Sequence, residues 1–240
     1  FASCSSLTSI EIPNSVGSIG DFAFQNCTSL SDVIFLGTSL TYGSTNAFSG
    51  SYIATQSGSV KVPTGYTAET FCGVTIEKFS PSFEGATVNL TLSSASAVYT
   101  GSAISVPTVS GSVTSNKIKA GNNTYTCNNN STVSSGFIVT PPTDMTNAGE
   151  KALTITIAGW DGSTTKTFTI NKASVTVSGI TAENKEYDGN TTATLTYTGA
   201  SFEGKVGSDE LSVSGTGAFA DANVGTGKTV NISGLTLGGS

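Results

Sequence analysis

The chain has 240 residues, a formal net charge of −6 and a pI near 4.5, and it contains no histidine. Its ten cations are scattered lysines, so the sequence lacks the clustered basic patch that nucleic-acid binding requires. No apolar run reaches the roughly 18 residues of a membrane-spanning helix. The lack of histidine excludes Ser-His-Asp catalysis, Cys-His catalysis and histidine-bound zinc.

The first 35 residues contain one pattern twice. The pattern Phe1-x2-Cys4-x2-Leu7-x2-Ile10-x-Ile12 returns 23 residues later as Phe24-x2-Cys27-x2-Leu30-x2-Val33-x-Phe35. A period of this length with Leu and β-branched anchors is typical of a leucine-rich solenoid, in which each repeat supplies one strand of a parallel sheet. Because apolar residues alternate along both strands, four side chains are predicted to face the core: Ile10, Ile12, Val33 and Phe35.

The intervening strand positions should point away from the core. Together with the equivalent positions of a third strand before Pro63, they form what we call the outward stripe: Ser9, Glu11, Asp32, Ile34, Ser59 and Lys61. Solenoids bind partners along extended surfaces of this kind, so these six residues are the candidate ligand-binding site. The alternative is that they form only a solvated face.

The repeats resemble a known family in the motif FxxCxxLxxIxIPxSVxxIGxxAFxxC, that of the BspA-like leucine-rich repeats of bacterial surface proteins. The match rests on Cys4, Leu7, Ile10, Ile12, Pro13, Val16, Ile19, Gly20, Ala23, Phe24, Cys27 and Leu30. The resemblance implies attachment to host matrix proteins and to other cells. Because the chain opens in mid-repeat, we expect further repeats, and a secretion signal or anchor, before Phe1.

The end of the repeats is less regular. Residues 49–58 are predicted to carry a small insertion, and residues 64–72 lack another Leu-x2-Ile and are interpreted as an end cap with a short helical turn. Residues 79–85, with Pro81 and Gly85 as breakers, are predicted to be a linker. The solenoid is therefore assigned to residues 1–79.

The four cysteines are predicted to be free thiols. Cys4 and Cys27 occupy equivalent repeat positions, where a small thiol packs well, so we expect both to be buried. Stacked positions are close enough that a disulfide between them stays open as an alternative. Cys72 and Cys127 lie in different regions and are predicted to be unpaired.

From residue 86 onwards, short alternating strands stand between Gly, Pro, Asn and Asp turns, a pattern typical of all-β sandwiches. We expect two tandem Ig-like modules, at residues 86–172 and 173–240, and hence a mainly β protein. The clearest hairpin spans residues 153–170 and turns at Trp160-Asp161-Gly162, where Asp-Gly favours a tight two-residue turn. Trp160 is expected to pack on its own sheet, and stacking on a sugar is the alternative.

The two β modules share two motifs. Tyr99-Thr100-Gly101 is matched by Tyr187-Asp188-Gly189, and Asn147-Ala148-Gly149 by Asn223-Val224-Gly225. The last module is similar to the YDG repeats of bacterial adhesins, and the middle module looks like a distant bacterial Ig-like relative. In the YDG family a strand usually follows the Gly-Leu segment at residues 234–235, so we expect an incomplete module with an exposed strand edge.

The sequence offers no catalytic constellation, and we expect no enzyme, no cofactor and no metal site. Two carboxylate clusters occur, one at Glu183, Glu186 and Asp188 and the other at Asp209 and Glu210. A solvated surface is the expectation for both, since charged side chains are mostly exposed. Calcium binding at Asp188 or at Asp209–Glu210 is the alternative.

These observations lead to a functional hypothesis that rests on the resemblance. The chain is expected to be a non-catalytic, monomeric adhesion protein of the bacterial cell surface, outside the cell. Its repeats would bind a host or bacterial surface protein, a matrix protein or a glycan, and the β modules would act as a stalk. The alternative is a structural spacer that carries a binding or enzymatic domain elsewhere. We expect no nucleic-acid partner.

Overall fold

The computed structural model describes residues 1–56 and 59–239, and it is mainly β with one four-residue α-helix among them. Ser57 and Gly58, which belong to the predicted insertion, and Ser240, which ends the predicted last module, lie outside the described residues. No helix of the described part is long and apolar enough to cross a membrane.

Contact density divides the chain into two compact units. The first comprises Phe1–Ser93, Thr108–Thr140 and Leu153–Lys166, and the second comprises Ser94–Pro107, Pro141–Ala152 and Thr167–Ser240. These units do not coincide with the three ranges expected from the sequence, because the first unit joins the repeats to part of the segment that follows them.

The repeats of the first unit build a parallel ladder. Its elements are β1 (Ser9–Ile12), β2 (Ser18–Ile19), β3 (Asp32–Phe35), β4 (Tyr42–Gly43), α1 (Tyr52–Thr55), β5 (Val60–Pro63), β6 (Thr70–Phe71) and β7 (Val74–Pro81). Strand β3 lies parallel between β1 and β5, and β7 lies parallel to β5. Ser9 pairs with Asp32 and Ile12 with Phe35, so β1 and β3 pair at the 23-residue offset of the sequence repeat.

Each repeat turns through a left-handed residue at an equivalent position. Ser3, Asn26, Gly50 and Gly73 have φ angles of 63°, 55°, 70° and 78°. Asn and Gly adopt this conformation at little cost, and here it lets the chain reverse towards the next strand.

The interior of the ladder is continuous from repeat to repeat. Ile12, Val33 and Phe35 are buried and Ile10 packs against them, which confirms the four predicted inward positions. Phe24 stacks between Phe1 and Phe48, with ring centroids 5.6 and 5.0 Å apart. Full burial of each large apolar side chain contributes about 1.5–3 kcal/mol to stability. Because these side chains are buried by neighbouring repeats, the stacking of repeats stabilises the ladder.

Residues 64–72 do not cap the ladder. Strand β7 adds a further parallel rung after them, with Val60 paired to Ile76 and Pro63 to Phe79. The short helix lies earlier, at Tyr52–Thr55, within the predicted insertion. The prediction of an end cap at residues 64–72 is therefore wrong. These residues lack a Leu-x2-Ile motif, but the strand that follows them still pairs with the ladder.

Residues 79–85 are not a linker. Strand β7 continues to Pro81 and pairs there with β10 (Val109–Ala120), so that Ala120 lies opposite Phe79. Ser82 and Phe83 are buried as well. Pro81 and Gly85 resemble the breakers of a linker, but β7 continues through Phe79 to Pro81, and the short connection that follows buries the Phe83 ring.

The middle of the chain adds seven strands. They are β8 (Thr87–Leu92), β9 (Ser96–Val98), β10, β11 (Asn123–Val133), β12 (Phe137–Thr140), β13 (Gly149–Ile157) and β14 (Thr164–Asn171). Strand β10 pairs with β7, β8 and β11 and so extends the ladder into an eight-stranded sheet. A second sheet has the order β12-β13-β14-β9.

The predicted hairpin at residues 153–170 is confirmed as neighbouring strands β13 and β14. Its connection has six residues, 158–163, so the prediction of a two-residue turn is wrong. Trp160 packs edge-on against Phe83 at 5.5 Å, as expected for a core contact.

The second unit ends in short strands and one long hairpin. They are β15 (Thr176–Ser178), β16 (Thr181–Ala182), β17 (Thr192–Ala193), β18 (Leu195–Thr196), β19 (Ser201–Glu203), β20 (Leu211–Phe219) and β21 (Val230–Gly239). β15 pairs with β19 and β16 with β18, while β20 lies between β17 and β21. Gly179 brings two backbones together here: a Cβ on it would lie 2.1 Å from the Gly199 carbonyl oxygen.

Candidate functional site

The outward stripe is not an open surface. Ile34 and Lys61 are buried, each with 6% of its surface exposed, and Glu11, Asp32 and Ser59 are half-buried. Among the six predicted site residues, Ser9 alone is exposed. The expectation of an accessible stripe is therefore wrong at its centre.

The hairpin of β10 and β11 covers the stripe. Ile34 forms a buried cluster with Phe79 of β7 and with Ile118, Ala120 and Cys127 of this hairpin. Leu36 and Tyr125 pack against the same cluster. Ile34 does point away from the ladder interior, as the alternation predicts, but it enters a second core.

The polar groups of the stripe are also bound within the chain. The Asn128 backbone N–H donates to Glu11 Oε2 at 2.7 Å, and Asn129 Nδ2 donates to Glu11 Oε1 at 3.3 Å. Lys61 Nζ donates to Asp32 Oδ1 at 2.8 Å and lies 4.4 Å from the centre of the Tyr125 ring. Since the chain itself binds these groups, the centre of the stripe has no free recognition chemistry.

Three of the four cysteines are buried. All four are free, which agrees with the prediction, and Cys27 is buried as expected. Cys4 is exposed, contrary to the prediction, whereas the Cys27 thiol donates to the Phe1 carbonyl oxygen at 3.1 Å. Burial raises the pKa of the Cys72 and Cys127 thiols to about 11, so both stay protonated and unreactive at neutral pH.

An open cleft of about 660 Å³ lies within the second unit, between residues 181–190 and 219–230. We call it the Tyr187 cleft. The first segment carries the Tyr187-Asp188-Gly189 motif, and the second carries the loop between β20 and β21. The two segments are about 40 residues apart in sequence, and they meet because β20 pairs with β17, which directly follows the first segment.

Aspartate–lysine pairs fix both walls of the cleft. Lys185 forms an ion pair with Asp188 at 2.7 Å, and the Asn190 backbone N–H donates to the same carboxylate at 3.0 Å. On the facing segment, Lys228 pairs with Asp221, which also accepts the Asn223 backbone N–H at 2.8 Å.

These contacts lower the pKa of both carboxyl groups. The lysine hydrogen bond is the largest cause in each case, and the asparagine backbone N–H is the second. Both aspartates are therefore charged at neutral pH. Each carboxylate joins a lysine and a backbone N–H of its own loop, and groups held by such contacts lose less entropy when a ligand binds.

Two apolar side chains that line the cleft are exposed to solvent. Tyr187 is 71% exposed and Val224 is 83% exposed. A tyrosine ring combines an apolar face with a polar hydroxyl and suits stacking on a sugar ring or a peptide group. The cleft thus joins an aromatic platform to charged and amide groups that can hydrogen-bond a ligand.

The calcium alternative finds no support at Asp188, because Lys185 and Asn190 already occupy its carboxylate. Asp209 accepts a hydrogen bond from the Tyr99 hydroxyl at 3.3 Å. The described residues contain no group of three or more His, Cys, Asp or Glu side chains that could hold a metal ion.

A third aspartate–lysine pair repeats the arrangement in the preceding module. Lys151 Nζ lies 2.7 Å from Asp144 Oδ2, and Asp144 Oδ1 accepts the Asn147 backbone N–H at 3.0 Å. Lys151 follows Asp144 by seven residues, as Lys228 follows Asp221. Gly101 and Gly189 of the matched Tyr-x-Gly motifs have φ angles of 75° and 77°. The two modules therefore share the glycine conformation of the Tyr-x-Gly motif and the seven-residue spacing of an aspartate–lysine pair.

Sequence reasoning named Asp188 but missed the cleft. The recurring seven-residue spacing of Asp and Lys, with an Asn between them, was a usable signal, because such a carboxylate can bind both the lysine and a backbone N–H of its own loop. The pairing that brings the two segments together carries no local signature.

Comparison with known families confirms the resemblance of the repeats and that of the last module. Residues 1–77 match the family model described as BspA type Leucine rich repeat region (6 copies), and residues 170–240 match that of the YDG domain. Searches of curated proteins and of solved structures found no match. The chain thus contains a BspA-type repeat region, which is typical of bacterial surface proteins, followed by a YDG domain.

Proposed function

We propose that this chain is a non-catalytic, monomeric adhesion protein of the bacterial cell surface, and that it recognises a surface glycan or protein through the Tyr187 cleft. In this proposal residues 1–79 form the end of a solenoid, and residues 86–172 form an Ig-like sandwich. The observation that carries it is Tyr187, which is 71% exposed and lines a cleft whose two walls each contain an aspartate–lysine ion pair. Ligand sites commonly combine aromatic surface with a few fixed polar groups.

The burial of the stripe supports this assignment over recognition through the repeats. Ile34 and Lys61 would have to be uncovered before a partner could touch them. Uncovering them would break the Ile34 cluster and the contact of Lys61 with Tyr125. Recognition at the Tyr187 cleft requires no such rearrangement.

A structural spacer is the second candidate. It is favoured by the eight-stranded sheet, in which β7 pairs with both β5 and β10 and so joins the repeats directly to strands of the following segment. A spacer needs stiffness and no ligand, so a binding measurement separates the two functions.

The test is a binding screen with the intact chain against matrix proteins, mucins and bacterial polysaccharides. Separate halves would be unsuitable, since a cut near residue 80 would remove the pairing of Phe79 with Ala120. We expect saturable binding that Tyr187→Ala weakens about tenfold or more, as truncation of an aromatic anchor does. The matched control is Tyr42→Ala, which removes a 55% exposed tyrosine from the repeat region.

Equal loss in both tyrosine variants would mean general loss of aromatic surface and would contradict the cleft. Wild-type affinity in Tyr187→Ala, with binding retained, would remove the cleft from the function. A folded chain that binds no member of the panel would favour the spacer. Circular dichroism of each variant establishes that it is folded.

A further inference from the structure

The walls of the Tyr187 cleft carry more negative than positive charge. Besides Tyr187, their ionisable side chains are four carboxylates and two lysines: Glu183, Glu186, Asp188, Asp221, Lys185 and Lys228. A concave surface with an excess of one sign attracts ligands of the opposite sign and repels those of its own. The excess disfavours an anionic ligand unless the lysines are free to bind it.

Lys185 is not free, because its own loop binds it. Its Nζ lies 2.7 Å from Asp188 Oδ1, and it donates to the side-chain and carbonyl oxygens of Asn190 at 2.8 and 3.0 Å and to the Thr192 carbonyl oxygen at 3.1 Å. An ammonium group has three N–H donors, so these acceptors use all of them. An anionic ligand would have to displace contacts that already satisfy this lysine.

Lys228, on the facing segment, is bound in a similar way. It donates to the Asp221 carboxylate and, at 2.6 Å, to the Asn223 carbonyl oxygen, and 18% of its side chain is exposed. A lysine paired with a carboxylate offers little net charge to a ligand, since its partner cancels it. Both cations of the cleft are thus used within the chain.

Two carboxylates of the cleft, by contrast, are not paired with a cation. Glu186, which directly precedes Tyr187, is exposed, and its carboxylate has no ion pair or hydrogen bond within residues 1–56 and 59–239. Glu183 is exposed as well and accepts a hydrogen bond from the Thr196 hydroxyl to its Oε1 at 3.2 Å. These two glutamates account for the excess of negative charge in the cleft.

The ring of Tyr187 suits a cationic ligand as well. An aromatic face attracts an ammonium or guanidinium group placed within about 6 Å of the ring centre. The chain makes this contact twice elsewhere: Lys61 Nζ lies 4.4 Å from the centre of the Tyr125 ring, and Lys78 Nζ lies 5.4 Å from that of Tyr66. In the described part of the chain no lysine lies over Tyr187, which is 71% exposed. Its ring is therefore open to a cation from a partner.

We propose that the Tyr187 cleft binds a lysine or arginine side chain on a basic segment of a partner protein. The cationic group would contact the Tyr187 ring and pair with Glu186 or Glu183. Lysine and arginine side chains are the cations that a protein surface presents at neutral pH. This inference rests on the proposed function and narrows its ligand, because it selects a basic protein over a neutral or acidic glycan.

The probe is a fluorescent Gly-Ser peptide that carries several arginines, added to the intact chain. Two control peptides have glutamine or glutamate at the arginine positions. We expect saturable binding of the arginine peptide by fluorescence anisotropy, at least about tenfold tighter than that of the glutamine peptide and weaker as the salt concentration is raised. The glutamate peptide should not bind.

Variants of the chain test the two contacts separately. Glu186→Gln should weaken binding of the arginine peptide about fivefold or more, since it removes the unpaired charge and keeps the size of the side chain. Tyr187→Ala should weaken it about tenfold or more. The matched control is Glu150→Gln, which removes an exposed carboxylate of the same unit that does not line the cleft. This variant should bind the peptide as the wild type does.

Equal binding of the arginine and glutamine peptides would overturn the inference. So would equal weakening by Glu186→Gln and Glu150→Gln, which would indicate attraction by net charge alone. Tighter binding of a glucosamine oligomer, a cationic glycan, than of the arginine peptide would overturn the assignment to a protein. If a neutral or acidic member of the binding panel bound in a manner that Tyr187→Ala weakens and Glu186→Gln does not, the cationic ligand would be wrong and the proposed function would stand.

Discussion

The Asp32→Lys variant is expected to lose about 3 kcal/mol of folding free energy, because it leaves the ammonium of Lys61 buried without its partner. Lys61 has only 8% of its side chain exposed, and its Nζ lies 2.8 Å from Asp32 Oδ1. The new lysine adds a like charge next to it. The estimate is at the lower end for a broken buried pair, since the Asp32 side chain is 35% exposed.

The control is Lys61→Met, which removes the buried charge and keeps most of the stem volume. The loss should stay near 1 kcal/mol, because water can solvate the remaining partly exposed carboxylate. Urea unfolding at neutral pH measures both variants. Equal stability of Asp32→Lys and the wild type would show that Lys61 reaches solvent and that the hairpin does not cover it.

The Ile34→Ala variant should lose about 2–4 kcal/mol, the range for truncating a buried Ile. Alternation along β3 places this residue on the outward side, where the same substitution would cost almost nothing. The structure instead buries it among Phe79, Ile118 and Cys127, with 6% of its surface exposed. The free energy of unfolding therefore distinguishes a covered stripe from an open one.

Ile138→Ala provides the comparison for Ile34→Ala, since Ile138 is also in a strand but 52% exposed. Its effect should stay within about 0.5 kcal/mol, as for most surface substitutions. Similar small losses at both positions would contradict the packing of the hairpin on the stripe.

Local patterns predicted much of the ladder. The 23-residue period placed β1 and β3 in register, and alternation identified Ile12, Val33 and Phe35 as inward. The inward positions follow from the alternation of side chains along a strand, and the register follows from the stacking of equal repeats. Both patterns can be recognised from residues that lie close together in the sequence.

The covering hairpin could not be predicted in this way. Strand β11 is rich in Asn and Thr and shows no apolar stripe, yet Tyr125 and Cys127 bury their side chains against Ile34. The contact joins residues about 90 positions apart, and its sole local cue, the segment at residues 79–85, suggested a linker. The Tyr187 cleft could not be predicted either, because it depends on the pairing of β17 with β20, which are distant in the sequence.

The covered stripe changes the functional hypothesis as well as the fold. A repeat region of this type invites the expectation that its outward sheet face binds the partner. Here that face is a core between the ladder and the β10–β11 hairpin, so the proposed recognition surface is the Tyr187 cleft. The proposal thus depends on the burial of the stripe in the intact, folded chain.

Lysine labelling tests this burial most directly. A small amine-acylating reagent is applied to the native chain, and mass spectrometry follows each lysine with time. We expect Lys61 to react at least about tenfold more slowly than the exposed Lys205, and the two rates to converge in denaturant. Equal rates in the native chain would show an open stripe and would return recognition to the repeats.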